Sequence, residues 1–313
     1  MLAPVCLFTY NRLWETKQTI EALQENFLAP ESELIIFSDG PKNEDVKDEV
    51  EAVRKYISSI SGFKSIRIIK SQENKGLAES IISGVTKILD EYGKIIVLED
   101  DLVTRPNFLD FMNQALDFYF HYSEVRSVNG YSLRLTYPVK DIYFQKRTFP
   151  WGWGTWENRW DTYIFDKQRI KNKIEKDETL LTGFKKECGD DISKMLLDSI
   201  NNVNNSWYVR WVFRHYTTDT YAAYPVHSFV ENIGYSKKGT HCRLINSFES
   251  RLSTSLDRKF EFIPFTYPEE RYRREFLHYF SILSKLMVRF RLLNSSSGRE
   301  KVFDEIKYKL KLR

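Results

Sequence analysis

Short apolar runs alternate with amphipathic stretches along the first 120 residues of this 313-residue chain. Runs of strand length occupy residues 4–9, 34–37, 65–70 and 94–98, and each precedes a stretch whose apolar residues have helical spacing. The clearest stretch begins at Leu77, with apolar residues at positions 77, 78, 81, 82, 85, 88 and 89. Four strand–helix repeats predict an α/β fold: a mostly parallel central sheet with helices on both faces.

Polar residues follow each predicted strand, and the carboxyl ends of parallel strands meet at one edge of a sheet. The residues in question are Thr9, Tyr10, Arg12, Asp39, Asn74, Gly76, Glu99, Asp100 and Asp101. An aromatic ring, a carboxylate able to accept from a base or ribose, and a cluster of acids together predict a nucleotide pocket. Taken singly, each residue also suits a helix cap or a turn.

Three carboxylates crowd the end of the fourth strand, at Glu99, Asp100 and Asp101. Crowded carboxylates repel one another, and a hard divalent cation such as Mg²⁺ or Mn²⁺ relieves the repulsion. The alternative is a solvated acidic turn after a core strand. The sequence contains no Gly-x-Gly-x-x-Gly, P-loop or Gly-x-Ser-x-Gly motif, which argues against dinucleotide-dependent dehydrogenases, P-loop enzymes and hydrolases with a nucleophile elbow.

Residues 149–160 are rich in tryptophan and are interleaved with two glycines. Trp151, Trp153 and Trp156 lie here, and Trp207 opens a second aromatic cluster at 207–211. Indole faces stack on sugar rings, so these side chains are candidates for the floor of a sugar or acceptor pocket. The alternative is an aromatic plug that packs a loop onto the sheet.

The ordered motifs resemble those of GT-A glycosyltransferases, in particular bacterial family-2-like enzymes and the N-acetylglucosaminyltransferase I group, which carry a Glu-Asp-Asp form of the Asp-x-Asp motif. The matching segments are Phe8–Arg12, Ser38–Gly40, Asn74–Leu77, Leu98–Asp101, Phe149–Trp156, Asn232–Gly234 and Gly239–His241. The resemblance implies a catalytic domain at 1–265, divided into a nucleotide-binding half (1–130) and an acceptor half (131–265). Residues 266–313 would form a helical C-terminal segment.

The resemblance also implies a role for each matching residue. Thr9, Tyr10 and Asp39 would hold the nucleotide base. Arg12 would lie near the phosphates, Asp100 would contact the ribose, and Asp101 would bind Mn²⁺ or Mg²⁺. The other implied contacts are His241 to metal or phosphate, Asn74 and Gly76 to the nucleotide, and Glu99, Trp151, Trp153, Trp156 and Trp207 to sugar or acceptor. The donor would be a nucleotide sugar, most simply UDP-linked, and the acceptor a glycan or lipid-linked glycan of a bacterial surface polysaccharide.

An inverting transferase needs a carboxylate to deprotonate the acceptor hydroxyl. In the N-acetylglucosaminyltransferase I group that base lies beside a Trp-Asp-Asp-Trp segment, whose counterpart here, at 205–211, has no carboxylate. Asp161, Glu157 and Glu231 are the candidate bases, with Asp161 preferred. A missing base would also suit a retaining enzyme or a non-catalytic relative that binds nucleotide sugars or glycans. A sugar-1-phosphate nucleotidyltransferase shares a similar sheet but needs a Gly-rich loop after the first strand, which is absent here.

Basic residues are concentrated at the C-terminus: residues 271–313 contain 12 Lys/Arg and 4 Asp/Glu, whereas the whole chain has a net charge of +4. The pattern predicts a basic amphipathic helix at 271–293, a flexible break at 295–298 and a second helix at 300–312. Such helices lie on membrane surfaces. The alternatives are packing on the domain or a dimer contact. Nucleic acid is not an expected partner, because these cations avoid the pocket edge.

The expected location is the cytoplasm, with peripheral contact at the inner face of the cell membrane. Three cysteines cannot form a paired disulfide framework, which favours a reducing compartment. Residues 4–8 are expected to be a strand and not part of a signal peptide.

Overall fold

A computed structural model of the chain describes residues 1–136, 142–235, 245–248 and 250–311. The first half repeats strand and helix four times as expected and adds one short strand, Leu102–Thr104, that the sequence did not predict. The bounds are β1 Val5–Thr9, α1 Leu13–Gln24, β2 Glu33–Ser38, α2 Lys47–Ile57, β3 Ser65–Lys70, α3 Leu77–Tyr92, β4 Lys94–Glu99, β5 Leu102–Thr104 and α4 Phe108–Tyr119. The second half contains β6 Val125–Asn129, β7 Ile142–Gln145, β8 Trp153–Trp156, α5 Lys167–Lys176, α6 Leu180–Cys188, α7 Ile192–Ile200, α8 Trp207–Thr217, β9 Tyr221–Pro225 and β10 Val230–Asn232. Three helices follow: α9 Glu270–His278, α10 Ile282–Leu292 and α11 Ser296–Lys311.

Eight strands form the central sheet, in the order β3-β2-β1-β4-β8-β6-β9-β7. The first four strands are mutually parallel, and β6 is parallel to β9. Strand β8 is antiparallel to both of its neighbours, and β7 is antiparallel to β9. A separate two-stranded sheet pairs β5 with β10. Because β8 reverses direction between β4 and β6, the carboxyl ends of β4, β6 and β9 all lie at one edge.

The sheet is buried on both faces, which explains why its strands read as continuous apolar runs. In β1, Val5 and Leu7 face α1, α2 and α4, whereas Cys6 and Phe8 face α3 and α8. The predicted α/β fold with helices on both faces is therefore confirmed.

The C-terminal helices differ from the sequence-based expectation. Residues 271–293 do not form one helix, because Ser281 interrupts it and its hydroxyl accepts a hydrogen bond from the N–H of Ser284 (3.1 Å) at the start of α10. The expected flexible break at 295–298 is also wrong, since α11 begins at Ser296. Helix α9 buries Tyr272 and Phe276 in the main core. It therefore packs on the domain that was predicted to end at residue 265. No helix in the described part of the chain is both long and apolar enough to cross a bilayer.

Candidate active site

The acidic turn between β4 and β5 is held from two sides. The Thr19 hydroxyl of α1 donates to the carbonyl of Asp100 (2.9 Å) and accepts from the N–H of Leu102 (3.0 Å). On the other side, the N–H of Ile233, just after β10, donates to the carbonyl of Asp101 (2.9 Å). The turn is thus fixed at the carboxyl edge of the sheet by tertiary contacts and not by its own sequence.

Arg12 connects the end of β1 to this turn. Its guanidinium donates to Asp101 Oδ2 (2.9 Å) and contacts Asp100 Oδ1. Burial and repulsion from Asp101 and Asp100 raise the pKa of Glu99 to about 8. Burial also raises the pKa of Asp100 to about 6, although Arg12 opposes this shift. A site that penalises negative charge in this way favours the binding of cations.

The acidic turn suits a divalent ion, such as Mg²⁺, that needs few ligands from the protein. Mg²⁺ is commonly held by one or two carboxylates together with substrate phosphates, and the Asp101 carboxylate at the edge of the sheet suits that arrangement. Gly234 leaves room there, because a Cβ on this residue would lie 2.0 Å from Asp101 Oδ2. The described residues contain no group of three or more His, Cys, Asp or Glu placed to hold a metal by themselves. The predicted ligand His241 lies outside the described residues.

Asp39 organises the loop between β3 and α3. Its Oδ1 accepts from the N–H groups of Gly40 and Lys75 (both 2.9 Å). Its Oδ2 accepts from Asn74 Nδ2 (3.1 Å) and from the N–H of Gly76 (2.9 Å). The structure therefore brings Asp39, Asn74 and Gly76 together, as predicted for neighbours at one edge. Because the carboxylate already holds this loop, its expected contact with a nucleotide base stays a prediction.

Two other predicted nucleotide contacts lie at the end of β1, where Thr9 is the last residue and Tyr10 follows it. Thr9 is buried, and its hydroxyl lies 3.4 Å from the carbonyl of Phe37. Tyr10 is partly exposed, and its hydroxyl accepts from the N–H of Lys42 (3.1 Å). The expected contact of the Tyr10 ring with a nucleotide base stays a prediction.

The four tryptophans predicted to contact sugar or acceptor are all buried. Trp153 is completely buried and stacks on Trp207, with ring centroids 5.4 Å apart. Trp156 is also buried, and its Nε1–H donates to the carbonyl of Leu116 (3.1 Å). Packing, the alternative noted above, accounts for Trp153, Trp156 and Trp207, and their faces are covered by protein. Trp151 precedes β8 and is also buried, with its ring packed against Tyr131, Phe149 and Phe248, so its expected contact with a sugar stays a prediction.

Two of the three candidate bases lie at the wrong edge of the sheet. Because β8 is antiparallel to β4, its last residue, Trp156, pairs with Lys94 at the start of β4. The distance along β4 from there to the acidic turn is about 17 Å. Glu157 follows directly, and Asp161 is occupied by the N–H of Tyr163 (2.9 Å) as a helix cap. The direction of β8 thus corrects the prediction of Asp161 and Glu157 as bases, because it places both residues at the edge opposite the acidic turn.

Glu231 is the candidate base that lies beside the acidic turn. It is exposed, and it pairs with Val103 in the two-stranded sheet. Its neighbour Asn232 pairs with Leu102, one residue beyond Asp101.

Sequence reasoning missed a basic cavity of about 130 Å³, lined by Arg134, Leu135, Thr136, Val226, His227 and Arg251. Val226 and His227 directly follow β9, whose carboxyl end lies at the same edge as that of β4. It also missed Thr19, which lies on the buried side of α1. Neither feature has a local motif, since both depend on segments far apart in sequence.

Comparison with solved structures gives only weak likenesses. A mannosyltransferase from Pyrobaculum calidifontis, in complex with GDP-Man and Mn²⁺, shares 13% identity over 41% of this chain and 34% of its own, with a TM-score of 0.31. S. aureus TarS 1-349, in complex with UDP-GlcNAc, shares 14% identity over 54% of this chain and 48% of its own, with a TM-score of 0.35. The chain thus covers half or less of these two proteins. Comparison with curated proteins found no match.

Comparison with protein families gives a match that covers more than half of the chain. Residues 5–176 match the family described as glycosyl transferase family 2. The matched region contains β1 to β4, the acidic turn and Arg12. The α/β sheet is also consistent with the GT-A fold. The chain therefore belongs to glycosyl transferase family 2, a family of glycosyltransferases.

Proposed function

We propose that this chain transfers a sugar from a nucleotide-sugar donor to a glycan or lipid-linked glycan, with inversion at the anomeric carbon. The observation that carries the proposal is the acidic turn. Three carboxylates lie together at the carboxyl edge of the parallel strands, within the family match, and the raised pKa values of Glu99 and Asp100 favour a cation. Ligands bind at this edge in open α/β sheets.

The donor nucleotide, which we propose to be UDP, would lie across the ends of β1 to β4. Tyr10 and the loop that Asp39 holds would face the base, and Asp100 would accept a hydrogen bond from a ribose hydroxyl. Asp101 would hold Mn²⁺ or Mg²⁺. When bound, that ion supplies charge stabilisation to the departing nucleoside diphosphate. Arg12 lies beside the same carboxylates and can move its guanidinium to the diphosphate.

Glu231 is the proposed base. It is exposed at the edge of the acidic turn, where a sugar hydroxyl can approach from solvent. Its carboxylate would take the proton of the acceptor hydroxyl as the bond to the anomeric carbon forms.

The acceptor is proposed to belong to a bacterial surface polysaccharide that is assembled at the inner face of the cell membrane. Arg134 and Arg251 line the cavity at the same edge of the sheet. Guanidinium groups bind phosphate well, so this cavity suits the phosphate of a lipid-linked acceptor.

A screen of nucleotides and nucleotide sugars, with and without Mn²⁺, tests the donor class by thermal unfolding. A ligand at a hundred times its dissociation constant should stabilise the folded state by about 2.7 kcal/mol. The expected result is a Mn²⁺-dependent shift with one nucleoside diphosphate family, lost in Asp101→Asn and kept in the exposed Asp48→Asn control. A cooperative unfolding transition that no nucleotide shifts would contradict the proposal.

A non-catalytic nucleotide-sugar-binding protein is the second candidate, favoured by the absence of a carboxylate in the segment at 205–211. A binding protein of this kind would show the same donor-dependent thermal shift but would neither transfer nor hydrolyse the sugar. Release of nucleoside diphosphate, measured with and without candidate acceptors, separates the two.

A further inference from the structure

Helix α10 turns its apolar side toward solvent. Its exposed fractions are 71% for Ile282, 62% for Leu283, 47% for Leu286, 36% for Met287 and 67% for Phe290. At 3.6 residues per turn these positions form one continuous face. An ordinary amphipathic helix of a globular domain buries such a face, so α10 is inverted with respect to the core.

Ion pairs on the opposite side of α10 hold it in this orientation. Lys285 Nζ lies 2.8 Å from Asp191 Oδ2, at the N-terminal end of α7. Arg289 makes a two-pronged contact with Glu305 of α11, at 2.8 and 2.6 Å. Ser284, on the same side, is buried. The polar side of α10 is therefore its attachment to the protein, and the apolar side is left free.

Helix α11 extends the exposed apolar face. The Arg289–Glu305 pair holds α11 beside α10, and α11 exposes 58% of Phe303 and 46% of Ile306. We call the exposed side chains of α10 and α11 together the apolar ridge: Ile282, Leu283, Leu286, Met287, Phe290, Leu293, Phe303 and Ile306. Contiguous exposed apolar surface of this kind marks an interaction site.

The charges around the apolar ridge decide what it binds. Residues 282–311 contain eight Lys/Arg and three Asp/Glu. Exposed cations of this segment occur at 291, 299, 301 and 307. In a symmetric dimer built on this ridge, the same cations of both copies would meet, and like charges across an interface are unfavourable. An anionic lipid surface is complementary to both the apolar and the basic parts.

We propose that the apolar ridge docks this protein on an anionic lipid bilayer. The apolar side chains enter the boundary between headgroups and acyl chains, and the surrounding cations contact lipid phosphates. Helix α9 takes no part, since its apolar residues are buried in the core. The binding surface is thus narrower than the 271–313 segment expected from sequence, and it does not depend on the proposed enzymatic activity.

Flotation of the full chain with lipid vesicles tests this proposal. One set of vesicles is phosphatidylcholine alone, and the other also contains phosphatidylglycerol. The parent should float with the anionic vesicles, should bind neutral vesicles at least tenfold more weakly, and should be released by salt. Phe290→Ser with Leu286→Ser should lower the affinity for anionic vesicles at least tenfold. The matched control is Phe120→Ser, which removes a half-exposed phenylalanine outside the ridge.

Charge-reversed variants and light scattering test whether the apolar ridge binds anionic lipid or a second copy of the chain. Arg299→Glu with Lys307→Glu should weaken binding to anionic vesicles and leave the weak binding to neutral vesicles unchanged. The proposal would be overturned if the parent stayed unbound with both vesicle types. It would also be overturned by a parent dimer that Phe290→Ser converts to a monomer, because the ridge would then be an interface between copies. Donor-dependent thermal shifts of the same variants report separately on the active site.

Discussion

Gly234 lies directly against Asp101: a Cβ placed on Gly234 would be 2.0 Å from Asp101 Oδ2. The two residues are far apart in sequence, and they meet because β10 pairs with β5. Glycine is thus required here by the close approach of a proposed metal ligand. The contact ties the segment that follows β10 to the acidic turn.

Gly234→Ala should displace the Asp101 carboxylate and lower sugar transfer at least tenfold, with a weaker dependence on Mn²⁺. Transfer rates measured across a Mn²⁺ titration check this. Gly62→Ala is the matched control, because Gly62 has a φ of +94° and an alanine there is strained far from the site. A Gly234→Ala enzyme with parental activity and metal dependence would mean that Asp101 is not a ligand.

Arg12→Met should leave Asp100 and Asp101 to repel each other and lower the free energy of unfolding by about 3 kcal/mol. Added Mn²⁺ should then raise the melting temperature of the variant more than that of the parent, because the ion replaces the lost positive charge. Thermal unfolding with and without Mn²⁺ is the measurement. Arg54→Met, which loses hydrogen bonds to the carbonyls of Asp39 and Ser71, should be destabilised without a metal effect.

Asp39→Asn should lower the free energy of unfolding by about 3 kcal/mol, because an amide nitrogen would face N–H donors that now have a charged acceptor. Urea unfolding measures the change. The exposed Asp48→Asn should unfold like the parent. An Asp39→Asn protein of parental stability would show that the loop at Asn74 and Gly76 does not depend on this carboxylate.

Glu231→Gln should lower the turnover number for transfer at least 100-fold while leaving donor binding unchanged, since general base catalysis contributes about 10²–10⁴-fold. Steady-state rates with donor affinity measured in parallel test this. Glu157→Gln and Asp161→Asn, at the opposite edge of the sheet, should retain near-parental rates. A large loss of rate in Asp161→Asn, with near-parental rates in Glu231→Gln, would instead support Asp161 as the base.

Because of His215, the free energy of unfolding should decrease as the pH falls below neutrality. Its Nδ1 lies 3.0 Å from the carbonyl of Trp211, and its Nε2 lies 3.0 Å from the Ser127 hydroxyl. Burial, with nearby Arg126, lowers its pKa from 6.5 to about 3. Between these values the unfolded chain binds a proton that the folded protein does not, so stability decreases as pH falls through this window.

The expected loss from His215 is about 2 kcal/mol between pH 6.5 and pH 5. Urea unfolding across this range should show it in the parent. His215→Gln should lose less stability over the same range than the parent does, whereas His121→Gln, an exposed position, should behave like the parent. Equal pH dependence in the parent and in His215→Gln would contradict the assignment.

The sequence by itself determined four strands and four helices of the first 120 residues and the acidic turn at their edge, but not the short strand β5. Apolar runs and helical spacing report burial and period, which are local properties. The prediction that Asp39, Asn74 and Gly76 are neighbours also followed, because parallel strands end at one edge.

Only the tertiary structure decided the direction of β8, the burial of Trp153 and the orientation of α10. The four residues of β8, Trp153–Trp156, do not show whether the strand pairs parallel or antiparallel, so the placement of Asp161 could not be predicted. Likewise, an amphipathic pattern shows that α10 has an apolar side but not which way that side faces. Ion pairs with Asp191 and Glu305 set that direction, and both partners come from other helices.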